Sequence, residues 1–332
     1  MALRTSKGVV GIVADATLYS AWAEPTVAIP AFDISYSVGN ENYQRKEARG
    51  HFGKLPSVPG MGTAEMSFKV LMVGTVTKVA PLFDVLMCSA GLKSIMTAGS
   101  HKTEWVPWST FGGAYEGGPP VVNYPISYAL AFWEDGVRYA LSGGVSDLTM
   151  VCKSGEPMEL QFSFKGAYVT TADDATAPAL SFPALVPPNF AGAAASILGQ
   201  TVPFSDFTLA LNNTLSPVLD VSATYGIKGY AISDRRPTIK MNPEAVKVAT
   251  FDTFGTWRAG TSSAAITWGP VGAISANIHN QFSFSAPKVE LKPPTLGERD
   301  GIRLHEIEAN ICALSGSAEG ADFTITHNMN TV

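Results

Sequence analysis

Ile126-Ser-Tyr-Ala-Leu-Ala-Phe-Trp133, then Glu134-Asp135-Gly136, then Val137-Arg-Tyr-Ala-Leu141, form the stretch that decides the fold. Gly143-Gly144 follows, then Val145-Ser-Asp-Leu-Thr-Met-Val-Cys152, the turn Lys153-Ser-Gly-Glu156 and Pro157-Met-Glu-Leu-Gln-Phe-Ser-Phe164. Every second residue is apolar: Ile126, Tyr128, Leu130, Phe132; Val137, Tyr139, Leu141; Leu148, Met150, Cys152; Met158, Leu160, Phe162, Phe164. A period of two places these side chains on one face of a strand. Asp135-Gly136 and Ser154-Gly155 supply the positive φ of tight hairpins. The stretch reads as four antiparallel strands, with a break at the glycine pair.

Outward from this centre, Phe32-Asp-Ile-Ser-Tyr-Ser-Val38 alternates and reads as a strand ending in a turn at Gly39-Asn-Glu-Asn42. A weakly regular loop, Tyr43 to Gly62, leads into a strand from Thr63 to Met72. Arg45, Lys46, Arg49 and Lys54 cluster in this loop with Glu41 and Glu47 interleaved, which suits a solvated or subunit-contacting loop better than a phosphate patch. Pro81 at a first turn, with Val79, Leu82, Leu86, Met87 and Ala90 as an apolar stripe, predicts a helix that Gly91 stops. Residues 97–124 are rich in glycine and aromatics, with Trp105, Trp108 and Tyr115 among them. Residues 176–203 are rich in Ala and Pro and read as a linker between a first unit, 1–175, and a second, 204–332.

The second half repeats the order of the first. Phe204 to Leu211 answers Phe32 to Val38, and Tyr230 to Met241 answers the strand before the first helix. Asn242-Pro243-Glu244 has the signature of a helix start, predicting a helix that runs to about Trp257. Strands at 264–268, 282–284, 288–292 and 302–311 close the unit, with the alternation slipping between Leu304 and Ile307. Shared order at low identity indicates an internal duplication. The expected fold is mainly β: two tandem sandwich- or barrel-like units, each with one short flanking helix.

Composition narrows function. Only 15% of the 332 residues are charged, against about 25% in an average soluble protein, so much of the surface is expected to face other protein. Net charge is −5, and the halves carry 13 basic with 16 acidic and 10 basic with 12 acidic residues. Neither offers the Lys/Arg stripe that grips a phosphate backbone. Cys88, Cys152 and Cys312 are far apart, with no C-x-x-C pair for zinc. Asp33, Asp220 and Asp234 lie in no calcium-loop pattern, and His51, His101, His279, His305 and His327 in no metalloprotease or triad-like context. No catalytic residue, metal site or cofactor is expected. The run Gly8 to Val13 behind Arg4 and Lys7 is open to a signal-peptide reading, but Asp15, Thr17 and Tyr19 interrupt it. No apolar run is long enough for a membrane-spanning helix, so no membrane insertion is expected.

Two blocks resemble a known family. Arg45-Lys-Glu-Ala-Arg-Gly-His-Phe-Gly-Lys-Leu-Pro-Ser-Val-Pro-Gly60, running into the strand and helix that follow, is similar to the N-terminal half of phage major tail (tail tube) proteins. Trp133-Glu-Asp-Gly-Val-Arg-Tyr-Ala-Leu-Ser-Gly-Gly144, followed by Pro157 to Tyr168, resembles their hairpin and aromatic-rich strand. The resemblance covers about 32–175 well and 200–312 loosely. It implies a virion protein, made in the bacterial host cytoplasm, whose subunits join sheets into rings that stack as a hollow conduit for double-stranded DNA. The implied partners are further copies, the tape measure protein, the tail terminator and the tail tip proteins. A duplicated chain implies three copies per ring with pseudo-sixfold symmetry, six copies being the alternative. Glu159, Gln161, Ser163 and Glu290, on the polar phase of their strands, become candidates for the bore wall, with solvent exposure alone as the other reading. The loop carrying Arg45, Lys46, Glu47, Arg49 and Lys54 becomes the candidate for ring stacking. A carbohydrate-binding β-sandwich with Trp105, Trp108 and Tyr115 as its platform is the competing class, and an enzyme assembled from distant residues a third.

Overall fold

A computed structural model describes residues 8–20, 22–45, 55–97, 101–108, 127–174, 176–260, 265–275, 277–313 and 322–329. The first half supplies β1 (Gly8–Ala14), β2 (Val27–Ile29), β3 (Phe32–Tyr43), β4 (Val58–Leu71), α1 (Asp84–Ser89), β5 (Leu92–Thr97), β6 (Lys102–Pro107), β7 (Tyr128–Glu134), β8 (Val137–Lys153) and β9 (Glu159–Asp173). After β10 (Ala195–Ile197), the second supplies β11 (Phe204–Ala210), β12 (Asn213–Leu219), β13 (Ile227–Arg235), β14 (Thr238–Pro243), α2 (Thr253–Ala259), β15 (Ile266–Ser275), β16 (Ile278–Ala286), β17 (Val289–Leu291), β18 (Thr295–Arg299), β19 (Ile302–Ile311) and β20 (Thr324–Asn328). The protein is mainly β, in antiparallel sheets, with two short helices among the described residues.

The central stretch forms three strands rather than four. Asp135 (φ 46°) and Gly136 (φ 94°) close the β7–β8 hairpin as expected. Gly143-Gly144 does not break the chain. It is a bulge inside one 17-residue strand, where the pairing with β9 shifts between Ser142 and Val145 and Gly143 sits at φ 58°. The expected turn at 39–42 likewise lies within β3, as an irregularity between Asn40 and Asn42.

The first sheet draws strands from both halves of the chain. β3, β4, β9 and β8 are neighbours in that order, and so are β11, β14, β19 and the pair β17 with β18. The two sets join where Asp206 to Ala210 of β11 pair with Lys153 to Thr149 of β8. β7, β1 and β2 continue from the other part of the same β8 edge. The second sheet runs β10-β15-β16-β20-β6-β5, so it too takes strands from both halves.

The space between the layers is filled by one hydrophobic cluster drawn from both halves. Phe68 stacks on Phe164 at 5.7 Å, Phe83 meets Trp105 at 5.4 Å and Phe282 at 6.2 Å, and Phe207 meets Trp268 at 5.7 Å and Phe284 at 5.1 Å. Close backbone approach adds to the joint. Thr75 and His279 exchange backbone hydrogen bonds at 2.9 Å, and the Gly74 N–H donates to Asn280 Oδ1 at 2.8 Å.

Both helices differ from expectation. α1 begins at Asp84 and buries Leu86, Met87 and Cys88, whereas Val79 and Leu82 of the expected stripe lie before it, exposed. Asn242-Pro243 ends β14 instead of starting a helix, and the Asn242 Oδ1 accepts from the backbone N–H groups of Ser205 and Asp206. The cap of α2 is Asp252, which accepts from the Gly255 N–H at 2.7 Å, and Gly260 (φ 63°) is its left-handed stop. Asn-Pro satisfied neighbouring donors in both readings; the competing strand pairing with β11 decided the outcome.

Candidate functional site

One face of the first sheet packs on the core, and the other is polar. Register fixes which side chains share that outer face. Lys69, Gln161, Thr149, Ala210, Thr238, Asn310 and Glu290 form one unbroken row of cross-strand neighbours through seven strands. A second row runs Leu71, Glu159, Val151, Thr208, Lys240 and Glu308. Ser67, Ser163 and Asp147 begin a third. The candidates Glu159, Gln161, Ser163 and Glu290 therefore share one face, with Gln161 and Glu290 in the same row. Ser163 and Glu290 are exposed, and Glu159 and Gln161 half-buried.

Charges on this face are interleaved and largely paired. Lys165 contacts Glu65 at 2.7 Å, Lys69 contacts Asp33 at 2.8 Å, and Glu308 takes Lys292 at 2.5 Å and Lys240 at 3.8 Å. The hydrogen bond from Lys292, then the fields of Lys240 and Lys292, hold the Glu308 carboxyl below its usual range. The hydrogen bond with Asp33 raises the Lys69 ammonium. Such exposed pairs contribute little stability. Their effect is on the field: no cluster of uncompensated cations presents itself to a polyanion along these rows. Sequence reasoning missed Lys69, Lys240 and Glu308 as members of this face. The signal was present, since Met66, Phe68 and Val70 face the core and alternation sends Lys69 the other way.

At one end of this face the β12–β13 ribbon folds over the sheet. Ile227 and Tyr230 cover Val145 and Ala167 in a small separate cluster. The crossing is possible because Gly143 and Gly229 meet without side chains, a Cβ on Gly229 falling 2.3 Å from the Gly143 carbonyl oxygen. The ribbon tip packs Tyr225 on Gly62 and Tyr168 and leaves Leu219 and Val221 exposed. The β3–β4 arm reaches the same end, with Val38, Tyr43 and Val58 exposed. Of the candidate stacking residues, Arg45 is exposed at the end of this arm. Lys46, Glu47, Arg49 and Lys54 lie outside the described residues.

Other candidate chemistry is not assembled. Trp105 is fully buried, with its Nε1–H donating to Asp84 Oδ1 at 2.6 Å, so it offers no sugar platform; Trp108 stacks under Lys93 at 4.2 Å, and Tyr115 lies outside the described residues. The His327 Nε2 bonds the His279 carbonyl at 2.7 Å and the His305 Nδ1 bonds Thr253 Oγ1 at 2.9 Å, both inside the protein. Among the described residues no group of three or more His, Cys, Asp and Glu side chains is placed to hold a metal ion. Cys88 and Cys152 are buried thiols and Cys312 is half-buried.

The candidate surface is therefore the polar outer face of the first sheet, with arms at one end. The sequence pattern of the phage tail tube protein family matches residues 75–326, and the chain belongs to that family. No curated protein sequence matches the chain. As a family member it is a structural component of the phage tail.

Proposed function

We propose that this protein is the major tail tube subunit, three copies closing into a ring whose bore is the polar face of the first sheet. Stacked rings then form the conduit through which the genome leaves. The observation that carries the reading is the uninterrupted path β3-β4-β9-β8-β11-β14-β19-β17, in which two four-strand units lie edge to edge within one chain. We read residues 1–175 and 204–332 as duplicated tube units fused through 176–203.

Strand spacing supports the number of copies. Eight strands per chain give about 24 for three copies; at ~4.8 Å per strand and a tilt of ~40° the backbone circle is about 48 Å across. Side chains reduce that by ~10 Å, which clears a B-form duplex roughly 20 Å wide as its groove depths imply. Two copies would leave only about 20 Å of bore, and six would open a circle near 100 Å. The paired, mildly acidic face lets phosphates pass without the counterion-releasing contacts that would hold them. The tape measure, tail terminator and tail tip proteins are the further partners of such a tube.

Negative-stain imaging of concentrated protein, with mass measured in solution, tests the reading. Hollow rings of three chains, alone or stacked, are expected. Compact, ring-free particles in every condition, including with the tail-initiation proteins present, would sink it.

A further inference from the structure

We propose that the pocket between β3 and the β7–β8 hairpin binds a cation on an aliphatic stem, an alkylammonium or guanidinium group. The Glu134 carboxylate is its counter-charge, and the rings of Phe132, Tyr139 and Tyr36 are its wall. The proposal stands on this pocket and does not depend on how copies of the chain associate.

Strand alternation puts an acid where the core face of β7 ends. Tyr128, Leu130 and Phe132 belong to the main hydrophobic cluster, whereas Ala131 and Trp133 pack on the opposite face. Glu134 is next in the Phe132 phase, so its side chain continues the core side of the strand. Register agrees from both neighbouring strands. Val10 of β1 and Tyr139 of β8 lie opposite Phe132, the first inside that cluster and the second packed against it. Gly8 and Val137 lie opposite Glu134. Gly8 brings no side chain, and a Cβ there would fall 2.8 Å from the Phe132 ring. The space beside the carboxylate is therefore left open.

The opposing wall is β3, whose Ile34 and Tyr36 pack against the same cluster. The Tyr36 hydroxyl donates to the Ala140 carbonyl at 3.2 Å, which fixes its ring 5.4 Å from Tyr139. Tyr139 in turn lies 6.1 Å from Phe132. These residues, with Phe32 and Asp33, enclose an open cavity of about 560 Å³. The described residues that line it include two acids and no lysine or arginine. Asp33 already holds Lys69 at 2.8 Å. Among the described residues no hydrogen bond or ion pair reaches the Glu134 carboxylate, which is half-buried.

The ligand class follows from this combination. An aromatic face attracts a cation through its quadrupole, and a carboxylate accepts its N–H groups. The rings also cover the methylenes of the stem. A neutral apolar ligand would leave the carboxylate against hydrocarbon without a partner. Two sources share the required chemistry: a lysine or arginine side chain of a partner protein, and a free diamine.

The test is saturation-transfer NMR on the full chain with four probes. Nα-acetyl-lysine amide and Nα-acetyl-arginine amide stand for the protein side chain, 1,4-diaminobutane for the free diamine, and Nα-acetyl-norleucine amide is the neutral control. The cations are expected to bind saturably and the control on the order of tenfold more weakly. Glu134→Gln, which keeps the shape and removes the charge, should weaken the cations about tenfold, and Tyr139→Leu about threefold. Thermal melting checks both folds, and Glu134→Gln decides alone where Tyr139→Leu melts early. Either amide binding more tightly than the diamine assigns the pocket to a partner protein, and the reverse order to a free diamine. No saturation by any cation, equal binding of the norleucine control, or wild-type affinity in Glu134→Gln would overturn the proposal.

Discussion

Phe207→Ala tests whether the two halves are energetically one body. Phe207 sits on β11, the strand through which the two halves join in the first sheet, paired with Cys152 of β8 on one side and Met241 of β14 on the other. Its ring is 0% exposed and touches Trp268 and Phe284 of the second sheet. Truncating a buried Phe costs about 3–5 kcal/mol from lost transfer energy and the cavity left behind. Two aromatic contacts and neighbours fixed in both sheets limit collapse of that cavity, so the upper part of the range, about 4 kcal/mol, is expected. Phe182→Ala is the control: at 72% exposure it should change stability by no more than ~0.5 kcal/mol.

The assay is urea unfolding followed by tryptophan fluorescence and far-ultraviolet circular dichroism. Trp105 and Trp133 report from the first half and Trp268 from the second. The midpoint should fall for both signals together, since the core that loses Phe207 is continuous from Phe83 to Phe282. Two transitions in the variant, one moved and one unmoved, would refute the argument. They would mean that each half holds its own core and the shared sheets add little.

Three further outcomes follow from buried polar groups and close contacts. Burial holds the His327 pKa down to about 4, with its Nδ1 unpartnered and its ring stacked on Phe282 at 5.0 Å. A depressed folded pKa means stability is full above the ordinary value of 6.5 and is lost as pH falls from there through 4, by about 3 kcal/mol; His327→Gln should flatten that loss in melts run from pH 7.5 to 4. Asp84→Ala should cost ~1–3 kcal/mol by orphaning the Trp105 indole N–H, while Asp84→Asn, which keeps an acceptor where burial already raises the carboxyl pKa, should cost clearly less in the same urea assay. Gly229→Val cannot meet the Gly143 carbonyl, so the β12–β13 ribbon should lift and limited proteolysis should cut at 220–226 faster than in wild type; unchanged cleavage would show that the crossing tolerates a side chain.

Strand identity was legible wherever alternation met a clear turn signal. Asp135-Gly136 sets a hairpin because both residues must take positive φ, and the sequence provides residues that do. Gly143-Gly144 carries the same composition but another meaning, since a glycine pair permits a turn, a bulge or close contact. The partner decides: Gly143 is where β8 shifts register with β9 and where Gly229 crosses. Asn242-Pro243 failed as a helix signal for a similar reason, the Asn242 side chain being taken by Ser205 and Asp206, 37 and 36 residues away in sequence. The polar phase of the strands was readable residue by residue. That Gln161 and Glu290 lie in one row was not, because it depends on the pairing at five successive strand interfaces.

Among the described residues two edges of the first sheet, β3 and β17 with β18, have no further strand beside them. An open strand is a template for any other strand, and proteins blunt it with charge, proline and irregularity. β3 presents Asp33, Ser35 and Ser37 along its exposed phase. The opposite edge is broken at Lys292-Pro293-Pro294, between β17 and β18, whereas β8 runs unbroken over 17 residues. Prolines lack the N–H that an added strand would need, so the edge accepts partners only in two short pieces. Indiscriminate pairing along its length is thereby weak. The interruption limits how long a stretch of this edge any added strand can pair with, whichever chain that strand comes from.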